Sequence, residues 1–218
     1  MEDEGSKMKT IDLSYDISDN MPVYSGDESV LLKRTKSLKK DSYNAYKMSM
    51  GLHSGTHVDI PHHLTADGRL ISTLPLERFM GKGVIIDARR KSVVSYKPEF
   101  DALIKEKDIV LICTAFADMY KEPEKYFGHH PVIDDGLCGF LIEKKIKMLG
   151  IDMPSPDNPP FHIHKKLLEK DIYIIENMAN LQTLLNAPAF EIFAVPLKIQ
   201  AEASPVRAFA VLNCEDSF

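Results

Sequence analysis

The sequence predicts an α/β domain, because short segments rich in Val and Ile alternate with segments that carry a helical spacing of apolar residues. The chain has 218 residues, of which 44% are hydrophobic, and this is enough for one substantial core. No internal repeat and no low-complexity linker divides it. We therefore expect one domain over residues 8–218, preceded by a disordered or cloning-derived tail at residues 1–7.

Seven segments are expected to form strands, because each is short and most are rich in β-branched residues. In chain order they are 46–52, 83–88, 109–114, 148–152, 172–176, 192–199 and 206–213.

Three helices are expected, at residues 98–106, 136–147 and 161–169. The first carries Pro98 near its start, where proline is tolerated. The second has apolar side chains at helical spacing, including Leu137, Phe140 and Leu141, and ends near Gly150.

Composition argues against several classes of protein. The net charge is −5 and no basic run exceeds a few residues, so a nucleic-acid-binding surface is not expected. No apolar stretch approaches the roughly 18–20 residues of a membrane helix. The three cysteines, Cys113, Cys138 and Cys214, form neither a disulfide framework nor a paired metal motif. This usage favours a reducing cytoplasm.

Residues 53–63, with the sequence HSGTHVDIPHH, hold four of the eight histidines of the chain and one aspartate. Imidazole and carboxylate groups are the usual ligands of catalytic divalent metals. In an extended chain, alternate side chains share a face, so His53, His57, Asp59 and His63 would lie together. A helix fits less well, because Gly55 and Pro61 weaken it, and we infer a strand that runs into an irregular loop beside a cavity. The alternative is a polar sheet edge or a set of hydrogen-bonded core histidines.

The pattern H-x-G-T-H-x-D-x-P-x-H resembles the signature of the cyclase-like metal-dependent hydrolases, which include bacterial kynurenine formamidases and isatin hydrolases. Further blocks of the chain agree in order with this family. They are IDLS at 11–14, MPVYSGD at 21–27, LGIDMPS at 149–155, HKKLL at 164–168 with IIEN at 174–177, and the closing segments PLKI at 196–199 and SPVR at 204–207.

The resemblance implies a metal site of nitrogen and oxygen ligands without thiolate. It implies that His53, His57 and Asp59 bind one metal, and that Asp59 bridges to a second metal held by His164 and Glu176. Such ligands suit two Zn²⁺ ions per chain, or Mn²⁺. Taken alone, Glu176 could be a surface acid at a strand end, and His164 an exposed helix residue.

The position of His63 in the motif implies a proton-transferring role, for which its ordinary pKa near 6.5 is suited. His162 competes with His164, but helical residues two apart face differently, so one of them should point at the metal. Tyr24 occupies a loop where the formamidases commonly carry an aromatic residue, often Trp, against the substrate ring. This chain has no Trp, and Tyr24 is either a substrate contact or an ordinary loop aromatic.

The implied fold is a swivelling β/β/α layered domain, with a mixed sheet or flattened barrel and flanking helices. The implied function is hydrolysis of an aryl formamide such as N-formylkynurenine, in tryptophan catabolism, through a metal-activated water. One alternative is the opening of a cyclic amide or lactone, and another is a metal-binding protein without turnover. A small-molecule substrate and a homodimer or homotetramer are expected.

Overall fold

Nine strands form one curled, mixed sheet in the computed structural model, which describes residues 9–212. In chain order, all strands of these residues are β1 (Lys9–Asp12), β2 (Leu31–Lys36), β3 (Ala45–Ser49), β4 (His57–Asp59), β5 (Met80–Asp87), β6 (Val93–Val94), β7 (Ile109–Cys113), β8 (Val132–Ile133), β9 (Met148–Ile151), β10 (Tyr173–Glu176), β11 (Phe190–Phe193), β12 (Ala203–Pro205) and β13 (Phe209–Leu212). The expected tail at residues 1–7 lies outside the described residues, as does Cys214.

The large sheet has the order β1-β13-β11-β5-β7-β9-β10-β4-β12. Its centre is parallel, from β5 through β7 and β9 to β10, and the remaining pairs are antiparallel. The Val- and Ile-rich composition of the central strands suits this position, because a parallel sheet that is covered on both faces has no solvent-exposed face. Strands β2 and β3 form a separate antiparallel hairpin, and β6 pairs with β8.

Five α-helices occur within residues 9–212. They are α1 (Leu38–Asp41), α2 (Phe100–Leu103), α3 (Pro123–Gly128), α4 (Asp135–Glu143) and α5 (His162–Glu169). The connection between β7 and β9 contains α4, and the connection between β9 and β10 contains α5. The predicted mixed α/β class is confirmed by this arrangement.

Several predicted boundaries are wrong, each for a local reason. Helix α2 has one turn, because Ile104 is already extended and Lys107 takes a left-handed φ of 66°. Helix α4 ends at Glu143, and Lys145 beyond it has a φ of 53°. The strand expected at 192–199 ends with Phe193, and Pro196 then makes only an isolated bridge to Val206.

Two apolar cores cover the two faces of the large sheet. One contains Ile112, Leu149 and Ile174 together with side chains of α4 and α5. The other contains Val58, Leu111 and Ile175 and lies on the opposite face. Ile174 and Ile175, which are neighbours on β10, therefore face opposite cores, as the alternation of a strand requires. Among the helices of residues 9–212, none has both the length and the hydropathy needed to cross a membrane.

Candidate metal centre

The pairing of β10 with β4 places three of the predicted ligands together. The strands are antiparallel, with Glu176 opposite His57 and Ile174 opposite Asp59. Directly opposed residues share a face, so His57, Asp59 and Glu176 all point to one side of the sheet. Nε2 of His57 lies 3.5 Å from Oδ1 of Asp59 and 3.4 Å from Oε2 of Glu176.

His164 reaches the same place from helix α5. The carboxylate of Asp157 accepts a hydrogen bond from the backbone N–H of Ile163 at 2.7 Å, which fixes the first turn of this helix. Nε2 of His164 lies 3.2 Å from Oδ2 of Asp59, and its Nδ1 lies 3.6 Å from Oε1 of Glu176. His162 is exposed and faces Asp135 at 3.4 Å, so it lies outside the cluster.

The two ends of the motif reach the cluster because the backbone turns at each end of β4. The alternation of an extended strand holds only for β4, since Gly55 has a φ of 67° and Pro61 begins a 3₁₀ turn that ends at His63. Nδ1 of His53 nevertheless lies 2.9 Å from Oδ1 of Asp59. His63 lies at the end of the 3₁₀ turn, and its Nε2 is 3.9 Å from Oδ2 of the same carboxylate.

Asp59 is shared by two groups of prospective ligand atoms. His53, His57 and Asp59 form the first group, and Asp59, His63 and His164 form the second. Within each group all ligand atoms lie within 4.8 Å of one another. Glu176, and not His63, was predicted in the second group, and in the structure Glu176 lies beside both His57 and His164.

A divalent metal fits this site because several of its buried polar atoms have no well-aligned hydrogen-bond partner among the described residues. Among residues 9–212, the buried atoms without a well-aligned hydrogen bond include a group concentrated here: Nε2 of His57, both carboxylate oxygens of Asp59, Nε2 of His164 and Oε1 of Glu176. Leaving such atoms unpaired in a protein interior is costly. A cation would satisfy all of them, and the mixed imidazole and carboxylate set suits zinc or manganese.

The electrostatics of the cluster also favour a cation. Burial alone would raise the pKa of Asp59, but the imidazoles of His57 and His53 hold it well below its usual range. Burial alone would lower the pKa of His53, but Asp59, with smaller effects of Glu176 and Glu202, raises it to about 9. The carboxylates thus draw positive charge into the site.

His63 differs from the other histidines. Its burial lowers its pKa to about 4, and the surrounding imidazoles add to this effect against the opposing influence of Asp59. It is about a quarter exposed at the edge of the cluster, with its ring centroid 4.2 Å from that of His53 and 5.5 Å from that of His164. His62 turns away and bonds to the backbone carbonyl of Asp67.

Outer hydrogen bonds hold the ligand-bearing strand. Nδ1 of His57 donates to the carbonyl of Gly55 at 2.8 Å, because a carbonyl can only accept, and this leaves the lone pair on Nε2 facing the cluster. The side chain of Asn177 donates to the same carbonyl at 3.0 Å. Thr56 Oγ1 donates to the backbone carbonyl of Asn177 at 2.6 Å, which ties the motif to the end of β10.

A cavity of about 250 Å³ opens over the cluster. Besides the ligand candidates and His63, its lining includes Tyr24, Leu64, Phe127, Ser155, Phe161 and Asn177. The Tyr24 ring meets Phe127 edge-on, with centroids 5.8 Å apart. Tyr24 was predicted from the sequence, but Phe127 and Phe161 were not, because neither lies in a motif and both reach the cavity only through the tertiary fold.

The comparisons with known proteins identify the family of the chain. The sequence model of the family described as "Putative cyclase" matches residues 11–158. Because that match covers more than half of the chain, the protein belongs to this family, as the sequence analysis predicted.

Curated relatives match almost end to end. The chain is 29% identical over 209 residues to the kynurenine formamidase of Bacillus cereus (strain ATCC 14579), covering 92% of this chain and 98% of that protein. It is 28% identical over 209 residues to the kynurenine formamidase of Bacillus mycoides (strain KBAB4), with the same coverage.

Solved structures share the fold. An isatin hydrolase bound to the product analogue thioisatinate has a TM-score of 0.85 at 22% identity, covering 94% of this chain and 92% of that chain. A potential metal-dependent hydrolase with cyclase activity has a TM-score of 0.72 at 25% identity, covering 94% and 98%.

Proposed function

We propose that this protein is a metal-dependent hydrolase that cleaves the amide bond of an aryl formamide, with N-formylkynurenine as the candidate substrate. The observation that carries the proposal is the position of Asp59 beneath an aromatic-lined cavity, with His53 and His57 beside one of its carboxylate oxygens and His164 beside the other. The kynurenine formamidases that match the chain over nearly its whole length support the choice of substrate.

We assign His53, His57 and Asp59 to one metal, and Asp59, His164 and Glu176 to a second. Zinc is our first choice for both and manganese our second, because the donors are imidazoles and carboxylates without thiolate. A divalent ion supplies two things to such a reaction: it lowers the pKa of a bound water and it polarises a carbonyl oxygen.

His63 is the proton carrier in this proposal. Its ring stands at the cavity edge and is not tied to a backbone group by any hydrogen bond in the described part of the chain, so it is free to accept the proton of the attacking water. It then gives that proton to the departing aryl nitrogen. Water adds to the formyl carbon, the C–N bond breaks, and the products are formate and the free aryl amine.

Tyr24 and Phe127 would contact the aromatic part of the substrate. Their edge-to-face arrangement leaves an apolar wall above the metal ligands, and aromatic rings pack well against such a wall. The small volume of the cavity fits a single-ring substrate better than a peptide.

A cyclic amide or lactone is the competing substrate class. Isatin hydrolase structures align with TM-scores of 0.82 to 0.85, and this supports a shared fold rather than a shared substrate. The two functions need the same catalytic groups and differ in the cavity wall, so a direct comparison of substrates separates them.

The test is a substrate comparison on purified protein loaded with zinc or manganese. N-formylkynurenine, N-formylaniline, isatin and an aryl lactone are supplied at equal concentrations, and formate release and ring opening are measured. We expect formate from the formamides with the highest kcat/KM. Faster opening of isatin or the lactone would move the proposal to the second class, and full metal without turnover on any of them would favour a binding protein.

We further propose a homodimer in which the β2–β3 hairpin contacts a second copy of the chain. Residues 31–49 carry six basic side chains and one acid, although the whole chain has a net charge of −5. The remainder of a second copy is therefore acidic and complements the charge of the hairpin. The hairpin also exposes large apolar side chains: Leu31, Leu38, Tyr43, Tyr46 and Met48.

Light scattering after size exclusion tests the dimer. Tyr46→Ser should shift the mass toward one chain, whereas Leu76→Ser, on an exposed site elsewhere, should leave it unchanged. A monomeric wild type contradicts the proposal, and a tetramer would require a second interface.

We also propose that the protein works in the cytoplasm. Cys113 and Cys138 are buried as free thiols, and burial raises the pKa of Cys113 to about 12 and that of Cys138 to about 11. Immunoblots of fractionated cells test this, and recovery of the protein outside the cytoplasmic fraction would contradict it.

A further inference from the structure

The two ring nitrogens of His53 face two different carboxylates. Nδ1 lies 2.9 Å from Oδ1 of Asp59, inside the ligand cluster. Nε2 lies on the far side of the ring, 3.4 Å from Oε1 of Glu202. Glu202 belongs to neither group of prospective ligand atoms.

A histidine that binds a metal must be neutral, with its lone pair on the metal side and its proton on the other nitrogen. His57 meets this condition through the carbonyl of Gly55, which accepts from its outer nitrogen. For His53, the group in the corresponding place is the carboxylate of Glu202. A carboxylate acceptor fixes the same tautomer and also makes the imidazole a stronger donor to the metal.

The fold holds Glu202 beside the motif. The carbonyl of Glu202 accepts a hydrogen bond from the backbone N–H of Ile60 at 3.2 Å, and the next residue, Ala203, pairs with Asp59 across β12 and β4. The backbone of Glu202 is therefore fixed to the strand that carries the ligands, although its side chain remains about one-third exposed. This fixed register keeps the carboxylate within reach of the His53 ring.

We propose that Glu202 is a positioning residue, which accepts the outer N–H of His53 and orients that ring as a metal ligand through Nδ1. The inference rests on the proposed metal site and deepens it. Glu202 acts on metal affinity through His53 and does not touch the substrate. Because the side chain of Glu202 is partly exposed, solvent screens its interaction with His53. The loss of metal affinity on removing Glu202 is therefore expected at the lower end of the range for residues that hydrogen-bond to metal ligands.

Metal affinity of the whole chain is the first test. Apo-protein is titrated with zinc in competition with a chromophoric chelator, for wild type, Glu202→Ala and Glu202→Gln. We expect Glu202→Ala to bind the zinc ion held by His53 about 10-fold less tightly than the wild type does. Glu202→Gln retains an acceptor oxygen and should lose less. Thermal melting of each variant in chelator establishes that the proteins fold.

The tautomer of His53 is the second readout, and a merely structural role would not move it. Imidazole ¹⁵N spectra of the zinc-loaded protein should show the Nε2–H form for His53 in wild type and a mixture or exchange broadening in Glu202→Ala. Glu99→Gln serves as the matched control, because Glu99 is a surface acid that pairs only with Lys97, at 3.6 Å, among the ion pairs of residues 9–212.

The outcomes separate this inference from the proposed function. Wild-type zinc affinity and an unchanged His53 tautomer in Glu202→Ala would overturn the role of Glu202 and leave the metal site standing. Failure of the wild type itself to bind zinc would overturn both. An equal loss in Glu99→Gln would show a general effect of charge and would also overturn the inference.

Discussion

Nε2 of His164 lies 3.2 Å from Oδ2 of Asp59, although the two residues come from opposite halves of the chain. The other oxygen of the same carboxylate lies 2.9 Å from Nδ1 of His53. Asp59 thus connects a histidine of helix α5 with the histidines of the motif. This is the arrangement that a carboxylate bridging two cations would need.

Asp59→Asn should abolish metal binding at both sites, because the amide offers one weaker oxygen where the carboxylate offers two charged ones. His53→Ala should empty one site and leave His164 and Glu176 to hold the other. Elemental analysis after dialysis measures the difference. A wild-type metal content in Asp59→Asn would contradict the shared role.

His63→Ala should keep the metal content and lose turnover. Removal of a proton carrier costs roughly 10²- to 10⁴-fold in rate. His62→Ala is the matched control, since that ring turns to the backbone of Asp67 and should leave kcat within a few-fold of wild type. Equal losses in the two variants would remove the special role of His63.

Tyr24→Ala should raise KM for aryl formamides by about 10-fold with a smaller change in kcat, because it removes an aromatic wall and no reacting group. Tyr24→Phe should behave almost as wild type if the ring face is what matters. A large fall in kcat with Tyr24→Phe would instead give the hydroxyl a part in the reaction. Steady-state kinetics at fixed metal loading resolves these effects.

Gly150→Ala should destabilise the fold by about 1–3 kcal/mol, the usual cost of an overpacked core. A Cβ at this position would come within 2.5 Å of Cδ2 of Leu111 and 2.6 Å of Sδ of Met178. Urea unfolding measures the change in the free energy of unfolding, and Gly139→Ala is the control, since its Cβ would meet no atom within 4 Å beyond its chain neighbours and the backbone of its own helix. Equal unfolding midpoints for the two variants would show that the core accommodates the added methyl group at position 150 without loss of stability.

Much of this site could be predicted from the sequence because its ligands are concentrated in one short motif. His57 and Asp59 are two apart on β4, and the alternation of a strand is enough to place them on one face. His53 and His63 reach the same carboxylate for a different reason, since the turns at Gly55 and Pro61 fold the two ends of the motif inward. Their convergence was predicted, and the inferred geometry of a strand running into an irregular loop agrees with the short β4 strand and the turn that follows it.

The contacts that sequence reasoning missed depend on long-range pairing. Glu202 approaches His53 only because β12 pairs with β4, and Phe127 of helix α3 reaches Tyr24 only through the tertiary fold. The hairpin strand β2 was missed for another reason. Its residues Leu31–Lys36 are largely exposed and charged, so they lack the apolar alternation from which strands are predicted.

The metal-dependent hydrolysis proposed here is tested most directly by the metal content of the purified protein, measured together with hydrolysis of N-formylkynurenine before and after chelation. We expect close to two zinc or manganese ions per chain, turnover that is lost with chelator, and turnover that returns when the metal is restored. A chain that takes up neither metal after soaking, or that hydrolyses the formamide equally well without metal, would contradict a metal-dependent mechanism.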